Sequence, residues 1–275
     1  MLYDQQSPLS QYARGLIASN RTSFVAADAE QAIGIGHGAF LEAAERLQRR
    51  DALVNLRKGF YLVVPPMFEP WGAPSPDHYI DDLMRHEGQT YYVGLLMAGA
   101  MHGATHQAVM EFQVVTNGRI RRIDAGGNRI VFYHRKDMEA VAAGIEERTT
   151  SAGRMMISSA ALTALDLLRY QRGSGGIDHV ATMLVDLAET IDPLQLAELS
   201  TKVEKSMVQR LGYMLDRLGH QELTTPMHEA TRKHGTFRWV ELLPWMARDP
   251  DFAFEPLERD ARWRVVARRI PEPDE

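Results

Sequence analysis

From Val64 to Pro76 the chain reads VPPMFEPWGAPSP, and its five prolines forbid a helix or a central strand there, because each removes a backbone N–H and fixes φ. This break divides the sequence into a first domain, 1–66, a proline-rich linker, 67–76, and a second domain, 77–275. Charge divides with it: residues 1–66 carry +1 and the remainder −6, within a chain total of −5. A net negative chain with pI near 6.1 argues against a non-specific nucleic-acid packager, but +1 on the first segment removes that objection for the segment itself. At 275 residues, 45% hydrophobic and 24% charged, the chain has the make-up of a packed globular protein with room for two domains, which excludes disordered, collagen-like and coiled-coil readings. It has no cysteine, which rules out disulfides, thiolate zinc sites, iron–sulfur clusters and cysteine nucleophiles. The apolar run Tyr91 to Met101 is well short of the roughly 20 residues needed to span a bilayer, and MLYDQQSPLS has neither the basic nor the apolar region of a signal peptide. A cytoplasmic protein with no membrane contact is expected.

The first segment carries the most informative pattern. Ser10 precedes a helix with Tyr12, Ala13, Leu16 and Ile17 on one stripe, closed by Asn20. Thr22 to Val25 is β-prone, and Ala26 to Ile33 is a second helix that stops at Gly34-Ile35-Gly36. A third helix runs from about Gly38 to Arg50, with Phe40, Ala43, Ala44 and Leu47 on one face and Glu42, Glu45, Arg46 and Arg49 on the other. Two β-prone runs, 52–56 and 60–64, then flank the basic turn Arg57-Lys58-Gly59. Helix, short strand, helix, glycine turn, helix and basic hairpin is the order of a winged helix-turn-helix, which presents its last helix to the major groove and its hairpin to phosphate or the minor groove. The candidate DNA contacts are His37, Glu42, Arg46, Arg49, Arg50, Arg57 and Lys58, the arginines of the last turn to phosphate. Carboxylates repel phosphate, although a glutamate such as Glu42 can accept a hydrogen bond from cytosine N4. Small winged folds also serve as protein-interaction modules, and that reading stays open.

After the prolines, Ser75-Pro76 opens a helix through about His86, and a second runs from about Val93 to Gly103. Three β-prone runs, 111–116, 119–124 and 128–134, separated by Asn117-Gly118 and Gly126-Gly127, predict a small antiparallel sheet, and helices follow over 160–170, 177–190, 194–199 and 203–218. The expected class is α+β: an N-terminal winged helix-turn-helix followed by a mixed domain of a small antiparallel sheet plus helices.

Other constellations have simpler explanations beside the chemical ones. His102 and His106 are spaced like a metal pair but lack the glutamate of the zinc-protease motif, so packing or hydrogen bonding is the better account. GSGG at 173–176 fails the phosphate-loop pattern and reads as a helix cap and turn; Ser158-Ser159 reads as an N-cap rather than a nucleophile. Asp166, Asp178, Asp186, Glu189 and Asp192 are spread over separate helices as solvated faces and caps, and no catalytic, metal or cofactor residue is assigned. The cluster Arg119, Arg121, Arg122, Arg129, Arg135 and Lys136 is either a sheet edge guarded by charge or a secondary nucleic-acid patch, with Arg119, Arg121 and Arg129 its candidates. The methionines, among them Met155, Met156, Met207 and Met214, are core filler or an adaptable partner surface.

Several segments together resemble the AbiEi family, the antitoxins of type IV toxin–antitoxin systems of abortive infection and viral defence. They are the wing LVNLRKGFYLV, YYVGLLMAGAMHGATHQ, IVFYHRK, MMISSAALTALDLLRY, GSGGIDHVATMLVDLAETIDP and VQRLGYMLDRLG, in the family's order over most of residues 10–245. The resemblance implies a non-enzymatic transcriptional autorepressor whose winged helix binds inverted repeats of double-stranded promoter DNA, as a monomer or weak dimer paired on that DNA. It also implies a C-terminal domain that neutralises a cognate nucleotidyltransferase-like toxin, by contact or functionally. The recognition helix and wing positions are the only site residues carried over. Alternatives remain: a stoichiometric toxin-binding inhibitor with secondary DNA binding, an orphan regulator, or an enzyme modifying the toxin, the last without a phosphate loop, kinase signature or metal triad in the sequence.

Overall fold

Three short helices and a three-stranded sheet share one apolar core at the start of the chain, and local sequence dictates each piece. The computed structural model describes residues 7–104, 109–249 and 255–273. Pro8 opens α1 (Pro8–Ala18), where a missing N–H is harmless. After β1 (Ser23–Val25), α2 (Ala26–Ile33) ends at Gly34, whose φ of 67° is the left-handed conformation that favours glycine. Next come α3 (His37–Gln48), β2 (Leu53–Arg57) and β3 (Phe60–Val63), with Gly59 at φ 76° in the two-residue turn between the strands. The strands form an antiparallel sheet in the order β1-β3-β2, which sets Phe24 directly opposite Tyr61. Their rings stack at 5.5 Å, and Phe40 from α3 meets both edge-on. Phe40 is fully buried with Leu9, Ala13, Ala44 and Leu47, so one aromatic cluster joins two helices to the sheet, each large side chain contributing about 2 kcal/mol of burial.

The chain continues through α4 (Ile80–His86), β4 (Tyr91–Val93), α5 (Leu95–Met101), β5 (Phe112–Thr116), β6 (Ile123–Ala125), β7 (Asn128–His134), β8 (Ile145–Thr150) and β9 (Gly153–Ser158). It divides into two compact units. The first comprises 1–92, 110–136 and 147–156, and the second 93–109, 137–146 and 157–275. The proline run lies within the first unit as two 3-10 turns, Pro66–Trp71 and Pro76–His78, set against the β6–β7 turn. Gly127 N donates to the Trp71 carbonyl at 2.8 Å and Asn128 Nδ2 to the Pro74 carbonyl at 2.8 Å. Gly126 makes this approach feasible: its φ is 56°, and a Cβ there would sit 2.6 Å from the Trp71 oxygen.

The small antiparallel sheet expected from three runs is instead a six-stranded mixed sheet, β6-β7-β5-β4-β9-β8. β6 and β7 form the hairpin expected around Gly126-Gly127, but β5 and β7 are parallel, as are β4 and β9. Asn117-Gly118 therefore closes no hairpin. Residues 117–122 carry the chain past the position that β7 will fill, β6 takes the edge, and β7 returns between β6 and β5.

The second unit is dominated by helices: α6 (Ala160–Arg169), α7 (Ile177–Ala188), α8 (Pro193–Ser200), α9 (Lys205–Arg217) and α10 (Gln221–Arg232). A small sheet completes it, made of β10 (Val240–Glu241), β11 (Glu258–Asp260) and β12 (Val265–Ala267), ordered β10-β12-β11. Every residue of α6 from Ala160 to Leu168 is buried, the pattern of a central helix, and α5, α7, α8 and α9 pack around it. Ser159 caps α6 by accepting from Leu162 N, and Asp192 caps α8 by accepting from Leu194 N and Gln195 N. Among the described residues no helix is long and apolar enough to cross a membrane. The chain is thus an α+β protein of mixed helices and sheets that include antiparallel ladders.

Candidate nucleic-acid interface

Burial of Phe40, Ala43, Ala44 and Leu47 fixes the rotation of α3 and turns the rest of the helix to solvent. His37, Glu42, Arg46, Arg49 and Arg50 are all exposed. His37 Nδ1 lies 2.7 Å from Glu30 Oε1, a contact that spans the glycine turn from α2. Arg49 donates to Glu45 Oε1 at 2.6 Å, an exposed pair one helical turn apart worth about 0.3–0.5 kcal/mol, so a phosphate can displace it readily. Arg46 and Arg50 have no carboxylate partner among the described residues. Leu41 is 45% exposed on this helix, off the buried stripe. Sequence reasoning passed it over, although an apolar residue on a polar face is itself a signal, and in a groove such a side chain suits a thymine methyl.

At the hairpin tip the two cations differ. Lys58 is exposed, and its backbone carbonyl accepts from His86 Nε2 at 3.1 Å. Arg57 is turned inward: its Nη2 donates to the Arg121 carbonyl at 2.5 Å, and its Nε lies 3.3 Å from Glu87. No local pattern announces this bond between a hairpin and residues thirty and sixty-four positions away. It exists only once the fold brings 87 and 121 to the strand end.

The second basic cluster is dispersed by its partners. Arg129 pairs with Asp124 at 3.0 Å and with Glu111 at 3.6 Å, and the hydrogen bond to Asp124 raises its guanidinium pKa above the ordinary value. Arg122 pairs with Asp124 at 3.1 Å. Arg135 is buried and donates to Tyr92 Oη at 3.0 Å. Arg119 and Arg121 are exposed and have no carboxylate partner among the described residues. They lie outside any strand, so the alternation of strand faces does not govern them.

The remaining constellations are structural. His102 Nε2 donates to the Ser158 carbonyl at 2.7 Å, and His106 lies outside the described residues. Ser158 Oγ bonds the Val93 carbonyl and Thr163 Oγ1. Gly175 and Gly176, at φ 75° and 94°, turn the GSGG segment into α7. Asp178 accepts from Arg269 at 2.5 Å. Among the described residues no three His, Asp or Glu side chains gather as a metal site. Met155, Met207 and Met214 are buried in the core.

The chain is an α+β protein with exposed cations on α3, just past its end and at the hairpin tip. Residues 92–217, from the end of β4 to the end of α9, match the family model of the AbiEi antitoxin C-terminal domain. The matched segment is thus similar to an antitoxin domain, which points to a toxin–antitoxin role. The crystal structure of the RV2827C protein from Mycobacterium tuberculosis aligns with a TM-score of 0.65 over 94% of this chain and 91% of that one, at 17% identity, a likeness of fold. No curated protein sequence matches the chain.

Proposed function

We propose that the chain is a DNA-binding antitoxin and transcriptional autorepressor of its own toxin–antitoxin operon. In this reading residues 1–66 are a winged helix-turn-helix, 67–76 are a connecting segment, and 77–275 serve to neutralise a nucleotidyltransferase-like toxin. The observation that carries it is the outward face of α3 and the turn that follows it, where Arg46 and Arg50 respectively stand exposed without carboxylate partners among the described residues while the opposite face of the helix is locked into the core. Arg49 joins them by exchanging Glu45 for phosphate, His37 and Glu42 face base edges, and Lys58 meets the backbone from the hairpin. Arg57 positions the hairpin through Arg121 and Glu87 before it contacts phosphate itself. Because Arg121 is bonded to Arg57, Arg119 and Arg121 extend the footprint from beside the hairpin, whereas Arg129 is occupied by carboxylates. Two copies on an inverted repeat match the two-fold symmetry of such sites.

The test is a gel shift on the DNA upstream of the protein's own reading frame. The Arg46→Ala, Arg49→Ala, Arg50→Ala, Lys58→Ala variant is expected to lose at least tenfold in affinity with an unchanged thermal midpoint. Affinity equal to that of the unaltered protein overturns the DNA reading. The acidic excess of residues 67–275 favours a second reading for that part, a protein partner held directly, and co-purification of the toxin with the full chain tests it.

A further inference from the structure

In the second unit, beyond the matched family domain, a cavity of about 330 Å³ is lined by His228, Arg232, Gly235, Phe237, Arg262 and Arg264. Three guanidinium groups therefore border one small space, and their compensation is uneven. Arg262 is paired with Asp216, its Nη1 lying 3.0 and 2.9 Å from the two carboxylate oxygens. Asp216 also accepts from Trp263 Nε1 at 2.6 Å and Thr224 Oγ1 at 2.5 Å, so its lone pairs are already committed. Arg264 donates to a backbone carbonyl, that of Phe237, at 3.1 Å, and has no carboxylate partner among the described residues. Arg232 is exposed and has no carboxylate partner among the described residues. Among the described residues one carboxylate serves these three cations, and two positive charges border the cavity without one.

The walls are held in place. Gln209 Nε2 donates to the carbonyls of Arg238 at 2.7 Å and Trp263 at 2.6 Å, and Trp263 is fully buried against Gly212. Arg264 keeps φ at 52°, a conformation that non-glycine residues adopt only where their surroundings impose it. Arg232 and Arg264 are both exposed at the rim of this frame, Arg264 held there by its bond to the Phe237 carbonyl.

We propose that this cavity binds a small phosphate-bearing ligand, with Arg232 and Arg264 holding the phosphate and a nucleoside monophosphate about the largest guest it encloses. Guanidinium forks match the geometry of phosphate oxygens, and two uncompensated cations match a phosphate dianion. The volume falls at the lower end of ligand cavities, roughly 300–1,000 Å³. His228 and Phe237, their rings 5.8 Å apart and tilted at 59°, give the cavity a less polar wall for the rest of the guest. Burial, with Arg262 and Arg232 nearby, pushes the His228 pKa below its ordinary value. The site is independent of the DNA reading.

Isothermal titration calorimetry on the full chain tests it with adenosine 5′-monophosphate, ribose 5-phosphate, inorganic phosphate and adenosine as probes. The phosphate-bearing probes are expected to bind and adenosine is not. Equal affinity for inorganic phosphate supports the site and assigns recognition to the phosphate alone. Arg232→Gln and Arg264→Asn, the latter chosen because asparagine tolerates positive φ, should each weaken binding at least tenfold without lowering the thermal midpoint. Arg46→Ala should leave it unchanged. Adenosine binding as tightly as its monophosphate, no phosphate-bearing probe binding at millimolar concentration, or undiminished affinity in the Arg232→Gln, Arg264→Asn double variant overturns the proposal.

Discussion

Arg57 and Glu87 form an ion pair at 3.3 Å in which the arginine also donates to the Arg121 carbonyl, so the first cation of the hairpin tip faces the protein and only Lys58 faces outward. On the proposed DNA interface this makes the two neighbours unequal. Lys58→Ala should lower the slope of log affinity against log salt by about 0.9, one phosphate contact, whereas Arg57→Ala should change it less. Glu87→Gln, which frees Arg57 and removes a negative charge, should tighten binding a few-fold. Fluorescence anisotropy across a salt series measures all three, and a Lys58→Ala slope equal to that of the unaltered protein would take the hairpin out of the interface.

Gly212 sits in the middle of α9 because Trp263 occupies the space a side chain would need: a Cβ there would lie 2.3 Å from the indole ring. Alanine would normally favour a helix, yet Gly212→Ala should destabilise the protein by about 1–3 kcal/mol through overpacking. A lower calorimetric midpoint is the expected outcome, and a midpoint raised by helix propensity would contradict the close approach.

Asp192 accepts hydrogen bonds from Leu194 N at 2.7 Å and Gln195 N at 3.0 Å at the start of α8. Asp192→Ala leaves both donors without the cap and should cost about 1 kcal/mol, while Asp192→Ser should restore most of it. Urea denaturation of the three proteins is the measurement.

For His228, burial first and then Arg262 and Arg232 hold the pKa below the ordinary 6.5, against the raising effects of its bond to the Arg262 carbonyl and of Asp216. The unfolded chain then binds that proton more readily than the folded one. The contribution to stability is fully present above pH 6.5 and is lost as pH falls through that value toward the folded pKa. Between pH 7 and pH 5, His228→Gln should flatten the fall of unfolding free energy measured by denaturant titration. Identical pH slopes for variant and parent would show that the histidine titrates as it does in the unfolded chain.

The first helices were legible because their apolar stripes are regular and their ends are marked: Leu16 and Ala13 on α1, and Phe40, Ala44 and Leu47 between the glycine turn and the hairpin on α3. The six-stranded sheet was not. β8, IEERTT, is polar at nearly every position because it is an edge strand, and the three residues of β4 merge into the apolar run that continues as α5. α10 escaped because Pro226 lies inside it and its apolar content is low. Among site residues, exposure on α3 followed from helical periodicity, but the inward turn of Arg57, the burial of Arg135 and the neutralisation of Arg129 depend on partners that no spacing rule connects. The cavity around Arg232 and Arg264 was equally invisible, since its cations come from α10 and from the strand pair thirty residues later.

The first compact unit draws on three separate stretches of chain, 1–92, 110–136 and 147–156. Genetic dissection at the proline run would therefore cut through a folded body. A fragment beginning at residue 77 would carry away all six strands of the large sheet while stripping the β6–β7 turn of its backbone partners Trp71 and Pro74. Failure of such a fragment to rescue cells from a toxin would report a first unit cut apart and a β6–β7 turn without its support, not a division of labour. Separating regulation from neutralisation in this protein calls for surface point mutations on α3 in the intact chain.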